Sequence, residues 1–410
     1  MTRVLMLVWT GVSTDTRVLR EAEALVATGR TVHVVGRAVP AEFVPPSGVT
    51  VDSVGVAPSS QTRRRRLGPV ERVARWALLP NHVSRRVRAW QAEAATVARA
   101  WAGRGGPPDV VHAHDFTALP VGALLAEEWG VPLVYDTHEY WVGRPVEGRP
   151  APWLRRRERR DEDRLGARAG AVVTVGDGVA RALRRDHPGW PEITVVRNTF
   201  PDRDVATPLA SPPTRFVYAG RLAADRELEV IAAASPRVGL PVTLRGPADD
   251  AWLDRFDPGA CAVEPAVPVA EVDAELRAAG VALVTHSDRW ANHRLALPNK
   301  VFHAVSLGVP VVATDVGELA ALVRRHALGT LYRPGDPDDL VRACREVVEG
   351  HADHVRAVRR ARSELRWAVD AARLVAVHDG QVHAPASTTL GQSMNEAWPR
   401  VARLPESEDE

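Results

Sequence analysis

The sequence predicts an α/β protein of two consecutive doubly wound domains that face a central cleft. The chain has 410 residues, more than one hydrophobic core usually supports, so two cores are expected. Short apolar runs alternate with amphipathic stretches, which is the pattern of parallel sheets covered by helices. A segment rich in Pro, Ser and Asp at residues 201–214 separates two similar halves and is the predicted linker.

The first domain is predicted over residues 1–200. Its opening strand, RVLMLVW, is followed by a helix with Val18, Ala22 and Leu25 on one face, and Gly29 is expected to end that helix. An Arg-rich amphipathic stretch from Pro80 to Ala102 predicts an outer helix. The remaining apolar runs predicted as strands are TVHVVGR, DVVHAHD, PLVYDTH, AVVTVG and ITVVRN.

The second domain is predicted over residues 215–375. Its predicted strands are RFVYAG, PVTLRG, ACAVEP, VALVTH and VPVVAT, and from Asp336 the pattern is helical to about His378. Residues 385–410 are polar and acidic at their end, so they are predicted to be disordered. Ligands of doubly wound sheets bind beyond the carboxyl ends of the strands, so the site is expected in the cleft.

Several classes of protein are excluded by composition. Cys261 and Cys344 stand alone without ligand spacing, so neither a disulfide framework nor a zinc site is expected. The opening MTRVLMLVW is too short for a signal sequence, and no apolar run approaches the roughly 18 residues of a membrane span. A cytoplasmic location is expected.

Arginine runs at residues 63–66, 85–88 and 155–160 concentrate positive charge in the first half, although the net charge is only +2. Such runs indicate an anionic surface or substrate near this half, and a solvated face is the alternative. No nucleic-acid partner is expected, because no stacking aromatics are interleaved with the runs and acidic residues balance the total.

Lys300 is the only lysine among 53 basic residues. It follows Pro298 at the predicted start of a helix, where the free amides of Asn299 and Lys300 can hold an anion beside the ammonium group. A compact, mobile ammonium fits many phosphate sites in which a planar guanidinium would not fit equally well. The alternative is chance in a chain that strongly favours arginine.

Two arginines and a glycine extend this pattern in the second domain. Arg221 follows the strand RFVYAG and Arg226 stands near the next helix, so the pair could clamp a diphosphate. Two ordinary surface arginines remain the alternative. Gly246 follows the next strand and lets a ligand approach the backbone.

Histidines and acids cluster at two strand ends of the first domain. A histidine facing a cleft can donate a hydrogen bond or relay a proton, and a structural role is the alternative for each. No paired spacing favours a metal site. The residues concerned are His112, His114, Asp115, Asp136, His138 and Glu139.

The chain resembles the bacterial glycosyltransferase family 4, whose members are retaining enzymes of the two-Rossmann-domain GT-B fold. The resemblance covers about residues 3–375. Five motifs occur in the family's order: DTRVLREAEALVATGRTVHVVG, DVVHAHDFTALPVGALLAEEWGVPLVYDTHEYW, VTVGDGVARAL followed by VVRN, YAGRL, and LPNKVFHAVSLGVPVVATDVGEL. The resemblance implies a nucleoside diphosphate sugar donor on the second domain, a hydroxyl acceptor over the first, and neither a metal nor any other cofactor.

Residue roles follow from the same resemblance. Arg221, Arg226 and Lys300 would hold the diphosphate with Asn299, and Gly246 would lie under the nucleotide. His138 would lie against the donor sugar as the catalytic histidine. The residues expected near the acceptor or the donor phosphates are Thr14, Asp15, Arg17 and His114.

The chain departs from the family at two positions. His303 and Leu295 stand where members usually carry glutamates, of which the first binds the nucleotide ribose and the second orients the donor sugar. We expect His303 to contact the ribose as a weaker acceptor. The departures keep open a catalytically silent binding or partner subunit.

An active enzyme would serve surface polysaccharide, glycolipid or secondary-metabolite glycosylation. A lipid-linked acceptor and peripheral contact with an anionic membrane are further expectations, drawn from the arginine runs. The base, the sugar, the acceptor and the oligomeric state do not follow from the sequence, because a few pocket contacts decide specificity in such a fold.

Overall fold

The structure, a computed structural model, describes residues 1–55, 68–144, 152–203, 205–224 and 226–382. They form two α/β domains, each around a wholly parallel sheet. Every predicted strand forms. Two edge strands were not predicted, because Val49–Val54 alternates polar with apolar residues and Gly329–Tyr332 has only four residues.

The N-terminal domain has a seven-stranded sheet in the order β3-β2-β1-β4-β5-β6-β7. Its strands are β1 (Arg3–Leu7), β2 (Thr31–Arg37), β3 (Val49–Val54), β4 (Val110–His114), β5 (Leu133–Thr137), β6 (Ala171–Thr174) and β7 (Ile193–Val195). Its helices are α1 (Thr16–Val26), α2 (Pro69–Gly105), α3 (Asp115–Trp129), α4 (Pro152–Gly166) and α5 (Asp177–Asp186), with short 3-10 helices at Val12–Thr14 and Trp141–Gly143.

The C-terminal domain has a six-stranded sheet in the order β10-β9-β8-β11-β12-β13. Its strands are β8 (Arg215–Ala219), β9 (Val242–Arg245), β10 (Cys261–Glu264), β11 (Gly280–Val284), β12 (Val311–Thr314) and β13 (Gly329–Tyr332). The helices are α6 (Leu228–Ala234), α7 (Asp250–Leu253), α8 (Val269–Ala279), α9 (Ala291–Leu295), α10 (Asn299–Ser306), α11 (Gly317–His326), α12 (Pro337–Glu349), α13 (His351–Ala361) and α14 (Trp367–Val382), with a 3-10 helix at Ser235–Arg237.

Helix α14 packs on the N-terminal domain, although the predicted domain division assigned its first half to the C-terminal domain. Its Leu374 is fully buried in the N-terminal core with Val4 and Met6 of β1. The expected end of the second domain at residue 375 therefore falls inside a helix that packs on the first domain. The chain returns to the N-terminal domain because a helix is stabilised mainly by packing its apolar face against a core.

Each sheet reverses its strand order once. The reversal lies between β1 and β4 in the N-terminal sheet and between β8 and β11 in the C-terminal sheet. At such a point the loops leaving the two neighbouring strands turn in opposite directions and open a crevice. The predicted site residues follow β1, β5, β8 and β9, end β4, or lie on α1 and α10.

The two domains touch across one end of the cleft. The Asn292 side chain of α9 donates to Glu139 Oε2 at 3.0 Å and accepts from the backbone N–H of Tyr140 at 3.0 Å. Arg181 of α5 pairs with Glu318 of α11 at 2.5 Å. Within the described ranges, no helix is both long enough and apolar enough to cross a membrane.

Candidate active site

The C-terminal half of the site begins where two strand ends approach closely. Gly246 follows β9, and a Cβ placed there would lie 2.0 Å from the carbonyl oxygen of Gly220, which follows β8. A Cβ on Gly220 would lie 2.3 Å from Cε of Lys300. A side chain at Gly246 would meet fixed backbone, and one at Gly220 would displace the Lys300 side chain, so the crevice floor is bare backbone.

Lys300 enters that crevice from the first turn of α10. Pro298 precedes the helix in an extended conformation, as expected. The Lys300 ammonium nitrogen lies 4.7 Å from the centroid of the Tyr218 ring, and the described residues give it no ion pair. Burial first, and the charge of Arg226 second, lower the pKa of Lys300 to about 7. A half-buried cation with an aromatic contact and no acid partner in the described part of the chain is poised for an anionic ligand.

The two predicted arginines differ in exposure. Arg221 is 66% exposed in its side chain and lies 3.9 Å from Asp249. Arg226 is partly buried, and its backbone carbonyl accepts a 2.6 Å hydrogen bond from Thr285 after β11. Arg226 thus lies with Lys300 at the β8–β11 crevice, whereas Arg221 lies at its exposed side.

The N-terminal half of the site is built around Arg17 of α1. Its Nε and Nη2 donate to Asp136 at 3.0 and 2.9 Å, and its Nη1 donates to the Val196 carbonyl and to Asn198 Oδ1 at 2.8 and 2.9 Å. Arg17 is 4% exposed. It therefore fixes Asp136 and the β7 end from below the cleft surface.

His138, after β5, lies between two acids. Its Nδ1 is 3.3 Å from Asp115 and its Nε2 is 3.2 Å from Asp136 and 3.1 Å from Nδ1 of His114. Burial opposes the charge, but the Asp115 and Asp136 carboxylates raise the pKa of His138 to about 10. His138 is consequently an imidazolium at neutral pH, which excludes it as a general base.

The first loop contributes Thr14 and Asp15. Thr14 is exposed and donates to the Gly11 carbonyl, while Asp15 caps α1 and accepts from Thr10 at 2.7 Å. Burial would raise the pKa of Asp15, but His138 and the Thr10 hydrogen bond hold it below its usual value. Asp115 begins α3 with φ +60°, a strained backbone for a residue other than glycine.

A layer of buried side chains lies behind His138, and the sequence did not predict that these side chains would meet. Burial raises the pKa of Glu21 to about 8, so its carboxyl is protonated at pH 7. The His112 ring stacks on His114 at 4.3 Å, and Nε2 of His378 from α14 is 3.2 Å from Nδ1 of His112. Glu21 and His378 are distant in sequence from the HAH motif, so only the fold reveals them.

Four atoms in this layer lie close enough to ligate a metal, from Glu21, His112, His114 and Asp136. The Arg17 Nε lies 2.9 Å from Glu21 Oε1 and donates to Asp136. The buried Arg17 guanidinium already lies beside both groups and would repel a metal cation, so this layer resembles a structural charge network more than a metal centre.

His303 has a different environment from the one expected. Its Nε2 lies 2.5 Å from Asp273 Oδ1 on α8, and its ring stacks on Phe200 at 4.8 Å and 12°. Arg203 of the linker pairs with the other oxygen of Asp273 at 2.5 Å. The Asp273 carboxylate therefore orients the imidazole toward the linker, whereas a ribose contact was expected.

The remaining expectations concern charge. Arg86 and Arg88 are exposed on α2, which begins at Pro69, before the expected Pro80. The run at residues 63–66, the Arg85 side chain and the tail at 385–410 lie outside the described residues. Asn292 on α9 and His286 in the loop after β11, both near the site, were missed because nothing in a single sequence marks them as facing it.

Family models match both halves of the chain. The glycosyl transferase 4-like domain matches residues 13–199 and the glycosyl transferases group 1 model matches residues 213–350. Glycogen synthase of Mycobacterium tuberculosis is 28% identical over 64% of this chain and 65% of that protein, slightly less than two thirds. D-inositol 3-phosphate glycosyltransferase of Geodermatophilus obscurus is 27% identical over 72% of each chain.

Solved structures show the same architecture. Sucrose-phosphate synthase from Thermosynechococcus elongatus aligns with a TM-score of 0.70 at 15% identity, covering 92% of this chain and 98% of that one. Anabaena HepE in complex with UDP-glucose aligns with a TM-score of 0.64 at 15% identity, covering 92% and 100%. At such identities the likeness establishes the two-domain fold alone.

Proposed function

The chain belongs to the group 1 glycosyltransferases with the GT-B fold, and we propose that it moves a sugar from a nucleoside diphosphate sugar to an acceptor hydroxyl. One observation carries the proposal. Lys300 is half-buried at a helix N-terminus, at the strand-order reversal of the C-terminal sheet, without an acid partner among the described residues. A diphosphate supplies the missing negative charge.

The donor lies in the C-terminal crevice. Its diphosphate contacts the Lys300 ammonium, the Arg226 guanidinium and the free amides of Asn299 and Lys300. Arg221, being exposed, closes over the phosphates from the outer side. The bare backbone at Gly220 and Gly246 lets the nucleotide lie directly on the strand ends, which side chains would prevent.

Transfer proceeds with retention. The bond from the anomeric carbon to the phosphate oxygen breaks, and the acceptor oxygen bonds to the same face of that carbon. The acceptor proton passes to the departing diphosphate, because the nearby His138 is already protonated and cannot accept it. The Lys300 and Arg226 cations stabilise the negative charge that develops on the diphosphate.

His138 acts here as a fixed cation. Asp115 and Asp136 hold its ring, and Arg17 holds Asp136 in turn. The imidazolium lies at the surface of the N-terminal crevice, where it can stabilise the leaving group and orient the sugar. His114 and Arg17 are buried, so they position this group without touching the substrate.

The acceptor approaches over the N-terminal domain. Thr14 is exposed at that crevice, and Asp15 and Asp115 are half-buried beside it. A lipid-linked acceptor is consistent with the exposed arginines of α2, which would face an anionic membrane. His303 is not part of the proposed donor site, since Asp273 occupies its Nε2.

The test is turnover of a panel of nucleoside diphosphate sugars by the purified chain, with and without candidate acceptors. Release of nucleoside diphosphate supports the proposal, and proton NMR of the glycoside then reads its anomeric configuration. An inverted product would reject retention. Binding of donors without hydrolysis or transfer across the panel would favour the silent binding subunit.

A further inference from the structure

His286 is a buried histidine that the proposed donor contacts do not use. It stands two residues after β11, at the strand-order reversal, and is 5% exposed. Its backbone N–H donates to Thr314 Oγ1 at 3.0 Å. The residue is therefore fixed at the same crevice as Lys300 and Arg226.

Both ring nitrogens of His286 lack a hydrogen-bond partner within the described part of the chain. Each of the other fully buried histidines there bonds through at least one ring nitrogen: His33, His112, His114, His187, His351 and His378. A buried polar group without partners is costly, and such groups are rare outside functional positions.

Neighbouring groups hold the ring in place. The His293 ring of α9 packs on it at 4.4 Å, and the Nδ1 of His293 is 2.8 Å from Ser287 Oγ. The indole N–H of Trp290, in the same loop, is also buried without a partner. The segment from β11 to α10 thus contains three buried polar atoms without partners among the described residues, and Asn292 ties it to the N-terminal domain.

The charge state of His286 restricts what it can bind. Burial, followed by His293, Arg226 and Lys300, lowers the pKa of His286 to about 3, so the ring is neutral at pH 7. A neutral imidazole offers one N–H donor and one acceptor lone pair. A phosphate oxygen only accepts, whereas a sugar hydroxyl both donates and accepts.

We propose that His286 is a specificity-determining residue that hydrogen-bonds a hydroxyl group of the transferred sugar, with the Trp290 indole N–H as a second donor. This inference rests on the proposed donor site. It adds that the loop between β11 and α10 distinguishes a hydroxylated sugar from a deoxy sugar. Leu295 of the same loop packs against the N-terminal core and supplies no polar contact.

The experiment compares two affinities on the full chain by titration calorimetry: UDP with UDP-glucose, and GDP with GDP-mannose if the uridine pair does not bind. His286→Phe keeps a ring without nitrogens, His286→Gln keeps one donor and one acceptor, and His354→Phe on α13 is the control. The ratio of the two affinities does not change if part of a variant is unfolded.

We expect His286→Phe to weaken the sugar conjugate by about tenfold and the nucleoside diphosphate by less than twofold. His286→Gln should recover most of the loss, and His354→Phe should match the parent. Among monodeoxy analogues of the bound donor, the parent should discriminate against one, and His286→Phe should lose that discrimination.

An unchanged ratio in His286→Phe, or equal loss for both ligands, overturns the inference while the proposed function stands. If the parent binds neither nucleotide pair, the proposed donor site itself fails, which is a distinct result.

Discussion

Lys300 occupies a space that suits an extended aliphatic stem and a compact cation. Its Cε lies so close to Gly220 that a methyl group there would be 2.3 Å away, and its ammonium faces the Tyr218 ring. A guanidinium is larger and planar, so it would not fit this space in the same way. The single lysine in an arginine-rich chain thus has a structural reason.

The pKa of Lys300 predicts how donor binding depends on pH. Because that pKa is about 7 in the free protein, the diphosphate must draw a proton onto the amine when it binds above pH 7. Affinity for a nucleoside diphosphate sugar should be nearly constant below pH 6 and fall by up to tenfold per unit above pH 7. Calorimetry in buffers of different ionisation enthalpy should detect the proton uptake.

Lys300→Ala should remove this pH dependence, since His138 stays charged and His286 stays neutral across the range. A parent protein whose affinity is flat from pH 6 to pH 8.5 would contradict the lowered pKa of Lys300, and the affinity of Lys300→Ala then decides whether the amine contacts the donor.

Replacement of His138 should affect turnover more than binding. His138→Ala removes a cation held by Asp115 and Asp136 at the reacting side of the cleft, so kcat should fall about 10²-fold or more, as for other preorganised electrostatic groups. Nucleotide affinity should stay within about twofold, because the diphosphate contacts lie on the other domain. His354→Ala is the control, and a His138→Ala turnover within twofold of the parent would remove His138 from the chemistry.

At the scale of elements, α8, α10 and the linker meet at one ion-pair cluster. His303 and Arg203 both contact Asp273, and Phe200 stacks on the imidazole. His303→Glu would place a second carboxylate against Asp273. We expect this variant to lose about 1 to 3 kcal/mol of stability by urea unfolding, with no gain in nucleotide affinity.

His303→Gln keeps a hydrogen-bond donor toward Asp273 and should lose less stability than His303→Glu. Tighter nucleotide binding by His303→Glu would instead show that residue 303 faces the ribose and that the linker contact opens in solution.

Helix α2 carries the prediction about membranes. Arg86 and Arg88 are exposed on it, and each basic residue near an anionic surface contributes about 1 kcal/mol of attraction. The chain should sediment with anionic vesicles at low salt and dissociate at high salt. Arg86→Ser with Arg88→Ser should bind less, whereas Arg237→Ser on the C-terminal domain should not change binding. If the chain does not sediment at low salt, the arginines of α2 form a solvated helix face and do not bind an anionic membrane.

At the scale of the whole molecule, periodicity predicted the sheets because buried parallel strands are nearly continuous apolar runs. It missed β3 and β13, whose edge positions require less apolar surface. It could not show that α14 returns to the N-terminal core, because an amphipathic helix does not specify its partner. For the same reason, Glu21 and His378 were not predicted beside His112.

The site was predictable where a residue type is unusual or follows a strand, as for Lys300, Gly246 and His138. The site was not predictable where the direction of a side chain determines which residue it contacts. His303 lies one turn after Lys300 on the same short helix, yet Asp273 on α8 draws it away from the expected contact. His286 has no sequence signal, because only burial and missing partners distinguish it.

The central claim, that Lys300 holds the diphosphate of a sugar donor, is tested most directly by calorimetric titration of the parent and Lys300→Ala with the nucleoside diphosphate sugar that the parent turns over. Loss of one charge-assisted contact should weaken binding by about 1.5 to 3 kcal/mol, roughly tenfold to 150-fold. The exposed-cation control Arg237→Ala should bind as the parent does. Equal affinity of the parent and Lys300→Ala at pH 6.5 would contradict the account.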